Sequence, residues 1–148
     1  MSITIYEKNL IKKVPIIEKD LRELEFESGL EYIRAKNITL SLILKGTPIH
    51  LTNSGTDLAF IKADSVHNIP CDAILDEDTN SFSFGTIKRE GVILLSGLIP
   101  GQIYYLGEGI IESNFDNISG HLAQKLGKAV AEDQLELEIE RPIKVRGV

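Results

Sequence analysis

The stretch that decides the fold class is the alternating run Leu135-Glu136-Leu137-Glu138-Ile139-Glu140. Successive side chains of a β-strand point to opposite faces, so the apolar residues of this run share one face and the glutamates share the other. One face is therefore buried and the other is in water, which is typical of an antiparallel sheet.

Short strand-like runs of this kind continue through the chain from about residue 38, separated by turn residues such as Gly, Pro and Asn. In the first run, Ile38, Leu40, Leu42 and Leu44 share one face of a predicted strand. Further strands are predicted over residues 49–52, 71–75, 82–88, 91–96, 102–106 and 135–140. Many short strands without intervening helices predict an all-β fold, a mainly antiparallel sandwich or barrel.

Residues 91–99 are apolar at both odd and even positions, in contrast to the alternating runs. A strand covered on both faces has this pattern. We therefore expect this strand to lie near the centre of the fold.

The first 36 residues have a different character, and residues 16–36 are highly charged. Ile17, Leu21 and Leu24 follow helical spacing, whereas residues 23–27 alternate like a strand, so a short helix and a strand both fit. We divide the chain into an N-terminal arm, residues 1–36, and a β domain, residues 37–148. The arm is a candidate for packing on a neighbouring subunit.

A weak internal repeat occurs at an offset of about 55 residues. Gly46-x-x-Ile49-x-Leu51 resembles Gly101-x-x-Tyr104-x-Leu106, and residues 73–77 resemble residues 129–133. Duplication would produce this similarity, and so would unrelated hairpins built from the same types of turn and strand.

Charge and hydropathy exclude two classes of partner. Lys and Arg number 16 against 22 Asp and Glu, a net charge of -6, whereas a nucleic-acid ligand demands a concentrated basic face. No apolar run reaches the ~18 residues of a membrane helix, and the N-terminus lacks the features of a signal peptide. We therefore expect an intracellular protein that binds neither nucleic acid nor membrane.

The residues most able to carry chemistry form no recognisable catalytic or metal-binding motif. His50, His67 and His121 are too far apart in sequence for a local metal motif and are expected on the surface or in turns. The single cysteine, Cys71, is expected to be a buried, inert thiol.

Two loops resemble ligand-binding motifs only in part. Residues 76–80 begin like a calcium loop, but Ser81 stands where that loop needs Gly and Ile87 where it needs a carboxylate, so an acidic turn is expected. Gly107-Glu108-Gly109 lacks the third glycine of a dinucleotide-binding loop and is expected to make a tight reversal. These patterns predict no cofactor, no metal site and no catalytic residues.

The adjacent pair Tyr104-Tyr105 is the main aromatic feature of the chain. Neighbouring strand residues face opposite ways, so one ring is expected in the core and the other outside. The outer ring either covers a sheet edge or anchors a subunit contact, where Tyr is enriched.

The C-terminal half carries a resemblance to a known family. Residues 91–97 read Gly-Val-Ile-Leu-Leu-Ser-Gly, residues 100–107 Pro-Gly-Gln-Ile-Tyr-Tyr-Leu-Gly, and residues 120–130 Gly-His-Leu-Ala-Gln-Lys-Leu-Gly-Lys-Ala-Val. Together with the closing strand, this stretch resembles the small β domains of tailed-phage capsid decoration and head-fibre proteins. More loosely, the whole chain resembles proteins encoded by plasmid prophages of Borrelia spirochaetes.

The resemblance implies a non-enzymatic virion protein that assembles in the bacterial cytoplasm. It would bind the major capsid protein or another virion protein as a homo-oligomer, with a trimer favoured. Tentative interface residues are Leu21, Leu24 and Phe26 of the arm, together with whichever of Tyr104 and Tyr105 is exposed.

Two other functions fit an all-β chain. One is a β-sandwich binding module, an adhesin or carbohydrate binder, which would present an exposed aromatic platform. The other is a small β-barrel enzyme, which would need a cleft that gathers histidines and carboxylates.

Overall fold

The computed structural model describes residues 33–113 and 122–144, which form strands and no helix. The first five strands are β1 (Ile33–Asn37), β2 (Pro48–Ser54), β3 (Asp57–Lys62), β4 (Ala73–Leu75) and β5 (Phe84–Lys88). The later strands are β6 (Glu90–Leu94), β7 (Ile103–Leu106), β8 (Ile111–Glu112), β9 (Leu122–Ala123), β10 (Lys125–Ala131), β11 (Gln134–Glu138) and β12 (Ile143–Lys144). The predicted all-β, mainly antiparallel fold is confirmed, and it includes a closed barrel.

The barrel consists of the first five strands in the order β1-β3-β2-β4-β5, and β5 pairs with β1 to close it. Its one parallel contact is β1 with β3, where Lys36 and Asn37 lie opposite Ala59 and Phe60. Buried apolar side chains fill the interior: Ala35, Ile43, Ile49, Phe60, Ala73, Leu75 and Ile87. This core holds the first half of the chain together.

The second half forms an open five-stranded sheet in the order β6-β11-β10-β7-β8. The opening run of the sequence analysis lies largely in β11, where Leu135 and Leu137 are buried while Glu136 and Glu138 are exposed. The predicted alternation is therefore confirmed. The remaining pair, β9 with β12, makes a small separate ladder.

The strand that is covered on both faces is β4, and not the predicted strand within residues 91–99. Ala73 and Leu75 belong to the barrel core, whereas Ile74 belongs to the core of the open sheet. The expectation of a central strand at 91–99 is wrong, because β6 is an edge strand whose pairing partner is β11. Ile93 is buried, but Leu94 is 57% exposed.

The predicted strand over 38–44 is also wrong. The ladder of β1 ends at Asn37, and the following residues form a loop in which Ile43 is buried while Leu40, Leu42 and Leu44 are exposed. The buried Asn37 side chain bends the backbone here. Its Oδ1 accepts the Thr39 N–H at 2.9 Å, and its Nδ2 donates to the Ser41 and Thr79 carbonyls at 3.0 Å each. Side-chain bonds of this kind compete with a strand ladder.

The remaining predicted strands overlap observed ones, namely β2, β4, β5, β6 and β7. The pattern of the sequence does not predict β1, β3, β10 or the three short strands β8, β9 and β12. The strand β1 begins at Ile33 and so crosses the predicted boundary between residues 36 and 37.

The two halves repeat one strand order. When both orders start from the second strand of the hairpin, the barrel runs β3-β2-β4-β5-β1 and the open sheet runs β8-β7-β10-β11-β6. Each strand therefore has a counterpart with the same neighbours, except that β1 and β3 also pair with each other. Unrelated hairpins that happen to have similar turns have no reason to share the same order over five strands. The structure therefore contains a repeat of strand order, in which the segment around Gly46 corresponds to the segment around Gly101. The other sequence match, residues 73–77 with 129–133, is two residues out of register with it, because Ile49 pairs with Ala73 whereas Tyr104 pairs with Gly127.

Equivalent hydrogen bonds support this correspondence. The N–H of Gly46 donates to the Leu75 carbonyl at 2.8 Å, and that of Gly101 donates to the Ala129 carbonyl at 2.8 Å. Both glycines have a positive φ, +93° and +87°, which favours glycine. The halves differ in closure, since β1 pairs with β3 whereas β6 and β8 lie at opposite ends of an open sheet.

Candidate interaction surface

The two described histidines each lie beside one carboxylate, His50 within strand β2 and His67 in the turn after β3. His50 Nδ1 is 3.0 Å from Asp72 Oδ2 and 3.0 Å from the Pro70 carbonyl. The same Asp72 oxygen accepts the Leu51 N–H at 2.9 Å, so this carboxylate also fixes backbone. His121 lies outside the described residues.

His67 forms the closer pair, with Nδ1 at 2.8 Å from Asp64 Oδ2. The hydrogen bond to Asp64 and its negative charge raise the pKa of His67. Burial tends to raise the pKa of Asp64, but its hydrogen bonds from His67 and from the Val66 N–H lower it overall. Because Asp64 Oδ1 accepts the Val66 N–H at 2.8 Å, the pair stabilises a turn.

Cys71 is a buried free thiol, as predicted. Its Sγ donates to the Ala73 carbonyl at 3.1 Å, and burial raises its pKa to about 12. The thiolate is the reactive form of cysteine, so this residue is inert at neutral pH.

The acidic segment 76–80 uses its carboxylates to hold backbone. Glu77 Oε2 accepts the Thr86 N–H at 2.7 Å, and Asp78 Oδ1 accepts the Lys45 N–H at 2.8 Å. Within residues 33–113 and 122–144, no group of three or more His, Cys, Asp or Glu side chains could hold a metal ion. In the same ranges, no helix has the length and apolar character needed to cross a membrane.

The segment 107–109 makes the predicted reversal between β7 and β8. The N–H of Gly107 donates to the Ile110 carbonyl at 2.8 Å, and Gly109 has a φ of +73°. The turn closes the hairpin.

The tyrosine pair divides between the core and a less buried position. Tyr104 is 7% exposed, and its hydroxyl accepts the Ile99 N–H at 3.1 Å, whereas Tyr105 is half-buried. Tyr105 is therefore the member of the pair that remains a candidate interface residue. The other tentative interface residues, Leu21, Leu24 and Phe26, lie outside the described residues.

The described residues form an apolar groove of about 640 Å³ that the sequence did not reveal. It is lined mainly by large aliphatic side chains from the turn before β2, from β6 and the residues after it, and from the start of β8: Leu44, Leu94, Leu95, Leu98, Ile110 and Ile111. Lys45 and Asp133 are the charged residues of the lining. Aliphatic side chains that line an open groove can be buried against the apolar side chains of a partner.

The groove lies at the open seam of the second half. Its walls include Leu94 at the end of β6 and Ile111 at the start of β8. In the barrel, the equivalent strands β1 and β3 pair with each other and close this seam. The second half lacks this pairing in the described chain, and residues 44–47 of the first half complete the lining of the groove at the open seam.

A second apolar feature is the leucine loop, which we define as residues 38–44. Leu40 is 89% exposed, Leu42 49% and Leu44 57%. The loop meets the groove at Leu44, which belongs to both.

Comparisons of the chain with protein-family models, with curated proteins and with solved structures found no match.

Proposed function

We propose that the chain is a non-enzymatic structural protein of a phage or prophage virion, a capsid decoration or head-associated protein. It would bind the major capsid protein or another virion protein as a homo-oligomer, in the trimeric form that the family resemblance implies. The observation that carries the proposal is the combined apolar surface of the leucine loop and the groove.

The chemistry of this surface favours protein binding over catalysis. Leucine and isoleucine side chains cannot transfer protons or act as nucleophiles, but burying them against a partner gains about 25 cal/mol per Å². A free surface that displays several such residues is typical of a site for another protein. A shell-binding protein needs this kind of surface and has no need for an enclosed pocket.

The charge of the chain is compatible with an outer position on a phage head. A net charge of -6 disfavours contact with packaged DNA, which is itself negative. The proposed partner is therefore the protein shell.

Electron microscopy of heads from a phage with and without the gene tests the proposal. We expect additional density at regular positions on the shell only when the gene is present. Purified protein added to heads that lack it should restore this density. Identical shells in both preparations, with no density after addition, would overturn the proposal.

The contact residues are tested separately in the full chain. Substituting Leu21, Leu24 and Phe26 by Asp is expected to dissociate the oligomer while circular dichroism still reports the β domain. Substituting Asp for the neighbouring Glu18, Glu23 and Glu27 is the matched control, because it leaves the apolar positions and the charge unchanged. An unaltered mass in the first variant would remove the arm from the interface.

A carbohydrate-binding or adhesive module is the second candidate, favoured by two exposed rings. Phe82 is 56% exposed and Phe84 is 43% exposed, and aromatic faces bind sugars by stacking. A glycan-array screen of the intact protein, repeated with Phe82→Ala and Phe84→Ala, tests this function. Glycan binding that both substitutions abolish would favour it over the virion role.

A further inference from the structure

The leucine loop is an ordered display of apolar side chains, despite its exposure. Besides the three hydrogen bonds of Asn37, the Ile43 N–H donates to the Thr79 carbonyl at 3.0 Å and the Thr79 N–H donates back at 2.8 Å. The Ser81 hydroxyl also bonds to the Thr39 carbonyl. A loop fixed in this way loses little conformational freedom when it docks, which favours binding.

The groove is the complementary shape on the same chain. Its aliphatic walls match the leucine side chains in chemistry, and its volume of about 640 Å³ is sufficient for more than one of them. Residues 39–44 of the loop carry no charge, so docking them would desolvate no ionised group.

The charges at the edge of these two features are also complementary. Lys45 directly follows the loop at the edge of the groove and makes an ion pair with Asp76 at 3.8 Å, whereas Asp133 lines the groove without an ion-pair partner among the described residues. If the loop of one copy entered the groove of another, Lys45 of the first copy would approach Asp133 of the second. Opposite charges at this position would orient the contact.

We propose that the leucine loop of one copy of this chain inserts Leu40 and Leu42 into the apolar groove of a second copy. This inference rests on the homo-oligomer of the proposed function and specifies one of its contacts. The tip of the loop, Leu40 and Leu42, lies outside the groove lining, so its insertion into a second copy is a heterologous contact, which closes into a ring where the rotation between copies closes. A ring of three copies has the symmetry that the family resemblance implies.

Sedimentation of the full chain tests the contact with two variants. Leu40→Asp removes the loop's apolar tip at an 89% exposed position, and Ile110→Asp places a charge in the groove wall at a 56% exposed position. Both changes leave the buried cores untouched. We expect the wild type to sediment as an oligomer and each variant as a single 16.4 kDa chain.

Val130→Asp is the matched control, because Val130 is 49% exposed on β10 and lies outside the groove lining. It is expected to keep the wild-type mass. An equal mixture of the two variants gives the sharpest result: one retains an intact groove and the other an intact loop. The mixture should therefore form a dimer that neither variant forms alone.

The failures of the two proposals are distinguishable. A Leu40→Asp variant with the wild-type mass would overturn the loop contact while leaving the homo-oligomer intact. A wild type that is monomeric in solution and on heads would overturn both the contact and the homo-oligomer. A mixture that remains monomeric would also overturn the contact.

Discussion

The side-chain amide of Gln124 hydrogen-bonds to both backbone groups of Cys71. Its Oε1 accepts the Cys71 N–H at 2.7 Å, and its Nε2 donates to the Cys71 carbonyl at 2.8 Å and to the Glu140 carbonyl at 2.8 Å. Gln124 is 2% exposed. Its side chain supplies, in place of water, the hydrogen bonds of backbone groups that lie outside the strand ladders. It links the segment before β4 to the second half of the chain.

Gln124→Leu should destabilise the protein by about 2–5 kcal/mol. The substitution keeps the volume roughly constant but leaves buried backbone groups of Cys71 without their partners, and each such group costs about 1–3 kcal/mol. Urea unfolding followed by circular dichroism measures the loss. Gln134→Leu, at an exposed position of β11, is the control and should change stability by less than about 0.5 kcal/mol.

Asn37→Ala should destabilise the protein by about 2 kcal/mol or more, because the buried amide supports the leucine loop through several hydrogen bonds. Amide hydrogen exchange at Thr39 and Ile43 should accelerate in the same variant. Asn53→Ala, at an exposed position of β2, should leave both measurements close to those of the wild type. Unchanged exchange in Asn37→Ala would contradict the role of the side chain in fixing the loop.

The buried thiol of Cys71 predicts how stability depends on alkaline pH. Its folded pKa of about 12 lies above the ordinary value of 9.0, so the folded state keeps its proton while the unfolded state loses it. The stabilising effect is complete below pH 9 and is lost as pH rises toward 12, at up to about 1.4 kcal/mol per pH unit.

Unfolding of the wild type and of Cys71→Ala between pH 8 and about 11 measures this effect, since the thiol of the unfolded chain titrates within that window. Cys71→Ala should start less stable because it leaves a small cavity, but its stability should fall less steeply with pH. Parallel curves for the two proteins would show that the thiol does not contribute. Thiol reagents should modify Cys71 only after unfolding.

The His67–Asp64 pair predicts a raised pKa for His67 that depends on its partner. Asp64→Asn removes the negative charge and should move the pKa of His67 down toward its ordinary value of 6.5. Titration of the His67 Cε1–H signal by NMR measures the change. Glu108→Gln removes a weaker, more distant contribution, so it should lower the pKa less than Asp64→Asn does.

The sequence predicted most clearly the strands that have one buried face and one face in water. The run at 135–140 is the clearest case, because one sheet covers Leu135 and Leu137 while water covers the intervening glutamates. The strand β10 escaped prediction because Gly127 and two lysines interrupt its apolar pattern. Gly127 has no room for a Cβ, which would lie 2.3 Å from the Glu136 carbonyl oxygen.

The alternating pattern of the sequence marked the leucines of the leucine loop but predicted a buried position for residues that are exposed. The period-two spacing of Leu40, Leu42 and Leu44 predicted a buried strand face, and the structure exposes all three. The spacing of side chains along the backbone is a local property. The hydrogen bonds of Asn37 with Thr79, far along the chain, override it and turn the segment into a loop.

The sequence by itself determined the all-β class and the alternation of β11, because these depend on the side-chain period, whereas the inert character that it predicted for Cys71 depends on burial in the folded chain. Tertiary structure decided which apolar faces are covered. Closure of the barrel by β1 and β3, and the absence of the equivalent pairing between β6 and β8 in the described chain, depend on contacts between distant residues. An apolar residue lies in the core only where another strand packs over it, and that partner is set by the fold as a whole.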